Sequence, residues 1–237
     1  MNAPHALVAR LNAKATAMHP LERLKALREA LTGEIVFTTT FGAEDQAITH
    51  MIATANLDIA IVTIDTGRLF PQTHDVWART EARYGIRVRP FFPDADALEA
   101  LVMEQGVNGF YRSMAARKAC CETRIFDPLS LALVEAEAWV SCDPSNQKKP
   151  PSFVSLDEGY KVVKTNPIFD WTHAQALAFA GDNRIPVNDL HSQGFIAMGC
   201  APCTRAIDPT RTKLSPHWWW EDESVALEAD GGRTLGN

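Results

Sequence analysis

The chain has 237 residues, 46% of them hydrophobic and 22% charged, enough for one α/β domain with a substantial core and a tail. A net charge of −6 argues against general nucleic-acid binding, which needs Lys and Arg in place of phosphate counterions. No apolar run reaches membrane-spanning length, and Met1–Arg10 has no continuous apolar stretch of the secretory type, so the expected location is the cytoplasm.

Residues 5–32 read as helical, because Leu7, Leu11, Leu21, Leu24, Leu27 and Leu31 recur near a helical period until Gly33 stops it. Ile35–Thr40 is a short β-rich run, followed by Phe41-Gly42-Ala43-Glu44-Asp45 as a turn into a helix ending near Ala55. Ile59–Ile64 is a second buried strand running into Asp65-Thr66-Gly67-Arg68-Leu69-Phe70, and a helix around Thr73–Tyr84 leads to a third strand at Val88–Phe92. Residues 96–105 look helical. Asp127-Pro128 opens a helix through Leu129 to Glu137, with Asp as cap and Pro in the first turn. Ala138–Ser141 reads as a strand and residues 142–151 as a loop. Phe153–Leu156 and Tyr160–Lys164 flank Asp157-Glu158-Gly159 as a hairpin. Thr172-His173-Ala174-Gln175 is a capping box opening a helix through Phe179.

This alternation predicts an α/β fold, a doubly wound, mostly parallel sheet with helices on both faces. We expect a helical segment over 1–33, one α/β body over 34–213 and an irregular tail over 214–237, with no internal repeat.

The cysteines carry the chemistry. There are five, and adjacent Cys120-Cys121 with Cys200-Ala-Pro-Cys203 favour metal or redox chemistry over structural disulfides in a reducing compartment. A [4Fe–4S] cluster needs four thiolates converging on a compact cube. Neighbouring side chains on regular structure diverge, so Cys120 and Cys121 need a helix end or a turn to serve one centre. Zinc also takes four thiolates, a C-x-x-C alone can be a redox pair, and Cys-Cys alone can be two small buried hydrophobes.

Flanking residues narrow the choice. Lys118-Ala-Cys-Cys-Glu-Thr-Arg124 and Gly199-Cys-Ala-Pro-Cys-Thr-Arg205 resemble the paired cluster motifs of the adenylyl-sulfate (APS) reductases, members of the sulfonucleotide reductase family within the adenine-nucleotide α-hydrolase-like folds. Thr40-Phe-Gly-Ala-Glu-Asp45 and Ile64-Asp-Thr-Gly-Arg-Leu-Phe70 resemble that family's turns after the first and second strands. Asn166-Pro167, Asp170-Trp171, Gly194 and Trp218-Trp219-Trp220-Glu221 also fit, over about residues 35–222.

The resemblance implies a [4Fe–4S] cluster on Cys120, Cys121, Cys200 and Cys203. It also implies that Thr40, Phe41, Gly42, Glu44, Asp45, Asp65, Thr66, Gly67 and Arg68 face APS or an AMP-like nucleotide. Both turns lie at the carboxyl ends of predicted strands, where open parallel sheets bind ligands, and backbone amides at a helix start suit phosphate. The implied chemistry is attack of a Cys thiolate on the sulfate sulfur with AMP leaving, then release of sulfite by a thioredoxin-like dithiol. That is an oxidoreductase activity of sulfate assimilation and cysteine biosynthesis.

Departures from the family cluster at the chemistry. The family nucleophile sits in a C-terminal Glu-Cys-Gly-(Ile/Leu)-His motif, whereas residues 223–232 here contain no Cys, and none follows Cys203. Pro144 and Ser145 stand in place of paired arginines, Ile125 in place of a lysine, and Leu214 and His217 in place of two arginines. Lys148 and Lys149 are substitute cations or a solvated loop pair. Cys142 is either a relocated nucleophile or an incidental small residue. Two readings follow: an APS reductase, with or without a second protein subunit, and a cluster-bearing, nucleotide-binding partner protein without turnover of its own. The Trp218–Trp220 run reads equally as a core plug or a partner surface.

Overall fold

The computed structural model describes residues 3–142, 152–207 and 216–221. The expected helical stretch 5–32 is two helices, α1 (Ala3–Ala15) and α2 (Pro20–Ala30), interrupted over residues 16–19. Pro20 takes the first turn of α2, and His19 caps it in a reciprocal box with Glu22. The leucine period missed this break because both helices bury leucines in the same core.

Six strands form one sheet: β1 (Glu34–Thr38), β2 (Ala60–Ile64), β3 (Arg89–Phe91), β4 (Ala136–Val140), β5 (Val154–Asp157) and β6 (Val162–Thr165). Their order is β3-β2-β1-β4-β6-β5. All pairs are parallel except β5 with β6, the predicted hairpin, which places an antiparallel strand at one edge. The remaining helices are α3 (Ala43–Thr54), α4 (Pro71–Tyr84), α5 (Ala95–Gln105), α6 (Met114–Cys121), α7 (Asp127–Leu133) and α8 (His173–Asp182).

Alternation along β1 sends Ile35 and Phe37 to one face and Val36 to the other. The first face packs Leu11, Leu24, Leu27, Ile48, Met51 and Val76, so α1 to α4 cover it. The second packs Leu129, Ala132 and Leu133 of α7 with Val62 and Trp139. The helix expected to reach Glu137 ends at Leu133, because Ala136 already pairs with Glu34 in the sheet. Helix α6 was not foreseen. It is eight residues long, starts at a Ser113 cap and leads directly into a π-helical turn over Glu122–Phe126. Among the described residues no helix is long and apolar enough to cross a membrane.

Arg23 is 1% exposed and ties α2 to the Asn166–Trp171 stretch. Its guanidinium donates to the Ala15 and Pro167 carbonyls, forks onto both Asp170 oxygens at 2.7 and 2.6 Å, and lies 4.5 Å over the Phe169 ring. A buried guanidinium with every partner in place rigidifies its surroundings.

Candidate functional site

Two turns at the carboxyl end of the sheet make the site. The first follows β1. Phe41 is fully buried with φ 60°, a conformation costly for a bulky residue, and stacks on Trp77 at 5.6 Å. Asp45, in the first turn of α3, accepts both the N–H and the O–H of Thr40, at 2.6 and 2.8 Å. Burial pushes the Asp45 carboxyl up, and hydrogen bonds from Cys142 and Thr40 work against that rise. Cys142, half-buried just beyond β4, therefore contacts the first turn through Asp45.

Glu44 points elsewhere. Its Oε1 lies 2.8 Å from His173 Nδ1 at the start of α8. Burial disfavours its charge, but the His173 hydrogen bond, its own backbone N–H and the nearby imidazoles outweigh that and hold the carboxyl below its ordinary value. The same bond raises His173, against burial. His191 stacks obliquely on His173, 5.2 Å between centroids.

The second turn follows β2. Gly67 adopts φ 70°, which suits glycine, and Asp65 Oδ1 accepts its N–H at 2.9 Å. Asp65 Oδ2 meets His74 Nε2 at 3.0 Å. Arg68 donates to Asn108 Oδ1 at 3.1 Å and to the Val107 carbonyl, and lies over the Phe110 ring. Its guanidinium thus braces the segment between α5 and α6.

The second turn is also where the cysteines gather. Cys200 bridges to Leu69 in antiparallel fashion, Ala201 N–H donates to the Arg68 carbonyl at 2.8 Å, and Thr66 Oγ1 lies 3.2 Å from Cys200 Sγ. Buried Arg124 donates to the Thr66 carbonyl at 2.6 Å. Helix α6 ends at Cys121, so the adjacent pair sits at a helix end that widens into the π-helical turn Glu122–Phe126.

The four sulfur atoms act on one another. Burial first, then the charges of Cys200, Cys121 and Cys120, push the Cys203 thiol up to about 12. Burial also raises Cys200, with Cys120 adding to it, and raises Cys121, with Cys120 and Cys200 adding to it. Arg124 and Arg68 offset part of this at Cys200, and Arg117 does so at Cys121. Burial and the nearness of the other sulfurs thus disfavour the thiolate form at Cys203, Cys200 and Cys121, and a cationic centre, whether a zinc ion or an iron–sulfur core, would favour it. Among the described residues no three His, Cys, Asp or Glu side chains close around a single metal-ion position.

The tryptophan run closes over this patch. Trp218 N–H donates to the Cys203 carbonyl at 3.1 Å, and Trp220 packs on Tyr111 and Phe110. Arg117 forks onto Glu221 at 2.8 and 3.0 Å while lying 4.3 Å over the Trp218 ring. His217 Nδ1 meets Thr204 Oγ1 at 3.1 Å. Trp219 and Trp220 are half-buried and Trp218 is the most exposed of the three. The sequence reading missed Arg117, although it stands one helical turn before Cys121, and it missed the His173–Glu44 pair, which joins residues 129 apart. Pro144, Ser145, Lys148, Lys149, Leu214 and residues 223–232 lie outside the described residues.

Sheet order and turn placement define the class as a doubly wound, mostly parallel α/β fold. A family model described as the phosphoadenosine phosphosulfate reductase domain matches residues 34–206, and the chain belongs to that family. It is 42% identical over 196 residues to an adenosine 5'-phosphosulfate reductase of Agrobacterium fabrum, covering 81% of this chain and 75% of the relative. A protein of the same description from Burkholderia cepacia is 38% identical over 225 residues, 90% of each. Among solved structures, the phosphoadenylyl-sulfate reductase of Candida auris in a phosphate complex superposes with a TM-score of 0.73 at 22% identity, covering 86% of this chain and 98% of that one, a likeness of fold.

Proposed function

We propose that this chain is an APS-reductase-like protein of sulfate assimilation that binds an adenosine phosphosulfate-type nucleotide between the turns Thr40–Asp45 and Asp65–Arg68. Cys120, Cys121, Cys200 and Cys203 would hold a [4Fe–4S] cluster beside it. The observation that carries this reading is the shared second turn. It follows β2 at the carboxyl edge of the sheet, and its Thr66 and Leu69 both contact Cys200. When bound, the cluster would supply a fixed charge distribution next to that turn. Arg68, Arg117 and Arg124 would orient the cysteine segments around it.

Turnover by these residues would rest on Cys142, since the other four thiols would be engaged as ligands. In that step the Cys142 sulfur would bond to the sulfate sulfur, the sulfur–oxygen bond to the phosphate would break, and AMP would leave with the electron pair. The thiol proton would pass to Asp45, and a dithiol reductant would then supply two electrons to release sulfite. The hydrogen bond between Cys142 and Asp45 favours a second reading as well, binding without turnover, because a neighbouring carboxylate opposes formation of a second anion on the sulfur. Partners such as a thioredoxin-like reductant or a second subunit that brings its own thiol belong to the first reading.

The experiment is sulfite release from APS with reduced thioredoxin, read beside intact mass after incubation with APS. A sulfonate adduct on Cys142, absent in Cys142→Ser, supports a relocated nucleophile. Calorimetric binding of AMP and APS without adduct or turnover supports the second reading. Binding of neither nucleotide sinks both.

A further inference from the structure

At the amino ends of β4 and β6, away from the two turns, the first face of the sheet is left partly open. A cavity of about 790 Å³ lies there between α1, the end of α2 and the β5–β6 hairpin. That volume is typical of small-molecule sites, which combine apolar walls with a few polar groups. Leu31 and Val163 on its wall belong to the buried core of the first face, and Leu7 and Leu156 are partly buried against that core. The cavity is thus an opening into the main core.

We propose that this cavity is a second ligand site, separate from the nucleotide turns, for a small amphipathic carboxylate with its apolar chain in the cavity and its head at the rim. Two cations stand on opposite banks, Arg10 on α1 and Lys161 just before β6. Neither makes a hydrogen bond or ion pair among the described residues.

The rim also carries carboxylates, and two of them are already engaged. Glu137 Oε2 accepts the N–H groups of Thr32 and Gly33 at 3.1 and 2.6 Å. Asp157 Oδ1 accepts those of Gly159 and Tyr160, each at 3.0 Å. Glu158, in the hairpin turn, has no such partner. With both signs on the rim, no net field selects the ligand. Unused hydrogen-bonding capacity does, and there a guanidinium with an ammonium outweighs one carboxylate. Asn12 of α1 fixes one end of the cavity, because it donates to the Val154 carbonyl at 2.7 Å and accepts the Val154 N–H at 3.0 Å. Strand alternation points the N–H and carbonyl of Leu156, two residues on along the edge strand, the same way. The walls are therefore held in place before a ligand arrives, which lowers the cost of binding.

The test is calorimetric titration of decanoate, kept below its micelle-forming range, into the full chain, with decylamine as the probe of opposite charge. Decanoate should bind the wild type at one per chain, and decylamine should bind far more weakly. Arg10→Ala combined with Lys161→Ala should weaken decanoate by about tenfold or more, a change of about 1.4 kcal/mol. Both positions are exposed, so this double variant keeps the fold. Ala6→Trp fills the cavity from an exposed position on α1 and should abolish binding. The proposal is overturned if decylamine binds as tightly as decanoate, or if decanoate binds the wild type more weakly than about 1 mM. It is equally overturned if decanoate affinity is the same in the wild type and the double variant. A wild-type dimer in sedimentation velocity that Ala6→Trp converts to monomer would give the cavity to a second copy of the chain, and would overturn it too.

Discussion

The two turns at the carboxyl edge of the sheet are built in opposite ways. The turn after β1 is closed on itself: Asp45 satisfies Thr40, Phe41 is locked at positive φ against Trp77, and Glu44 is matched by His173. The turn after β2 is open to its surroundings. Thr66 and Leu69 reach Cys200, Arg68 reaches the loop before α6, and Arg124 reaches back from beyond the cysteine pair. The first is acidic and inward-bonded, which suits selection among ligands. The second is flanked by guanidiniums and joined to Cys200, which couples it to the cysteine segments.

The largest expected effect falls on the second turn. Cys200→Ser or Cys203→Ser should reduce iron and acid-labile sulfide from about four each per chain, in anaerobically purified protein, to near zero. Stoichiometric zinc without sulfide in the wild type would replace the cluster with a zinc site.

Next comes Phe41. Truncating this fully buried ring in Phe41→Ala should cost about 3–5 kcal/mol in chemical denaturation. Phe41→Gly should be the more stable of the two by about 1 kcal/mol, reversing the usual order, because glycine alone relaxes at φ 60°. Alanine more stable than glycine would show that the turn is not strained.

Arg124 sharpens the link between the regions. Arg124→Met removes a buried charged hydrogen bond to the Thr66 carbonyl and should cost about 1.5–3 kcal/mol. AMP binding should weaken with it. Unchanged AMP affinity in a destabilised variant would mean that the second turn serves the cysteines alone.

Much of this was legible in the sequence, and the reasons differ by element. Strands β1, β2 and the β5–β6 hairpin announce themselves as β-rich runs closed by turn residues. The two functional turns are readable because a parallel sheet must put them at one edge. Helix α6 was not legible, since the apolar residues of Met114–Cys121 are small beyond Met114 and mark no period, and the helix is held by a Ser113 cap and by Arg117 bonding to Glu221. The place of Trp218–Trp220 beside the cysteine segments was undecidable from composition, because an aromatic run serves a core or an interface equally. The Glu44–His173 pair was invisible for a different reason. A contact between residues 129 apart leaves no local pattern.

The smallest expected effect tests the charge state that distinguishes the first turn. The ordinary value for His173 is 6.5, and Glu44 raises it, so its contribution is complete below 6.5 and is lost as pH climbs through the raised folded value. The ordinary value for Glu44 is 4.5 and the folded value is lower, so its contribution is complete above 4.5 and is lost as pH falls through that lowered value. Both are whole only between these limits. With both side chains about 30% exposed, solvent screening keeps the pair under about 1 kcal/mol. The melting-temperature difference between wild type and His173→Gln, followed from about pH 4 to about pH 9, should peak in the mildly acidic range and shrink on either side. A flat difference would mean that the pair is a neutral hydrogen bond.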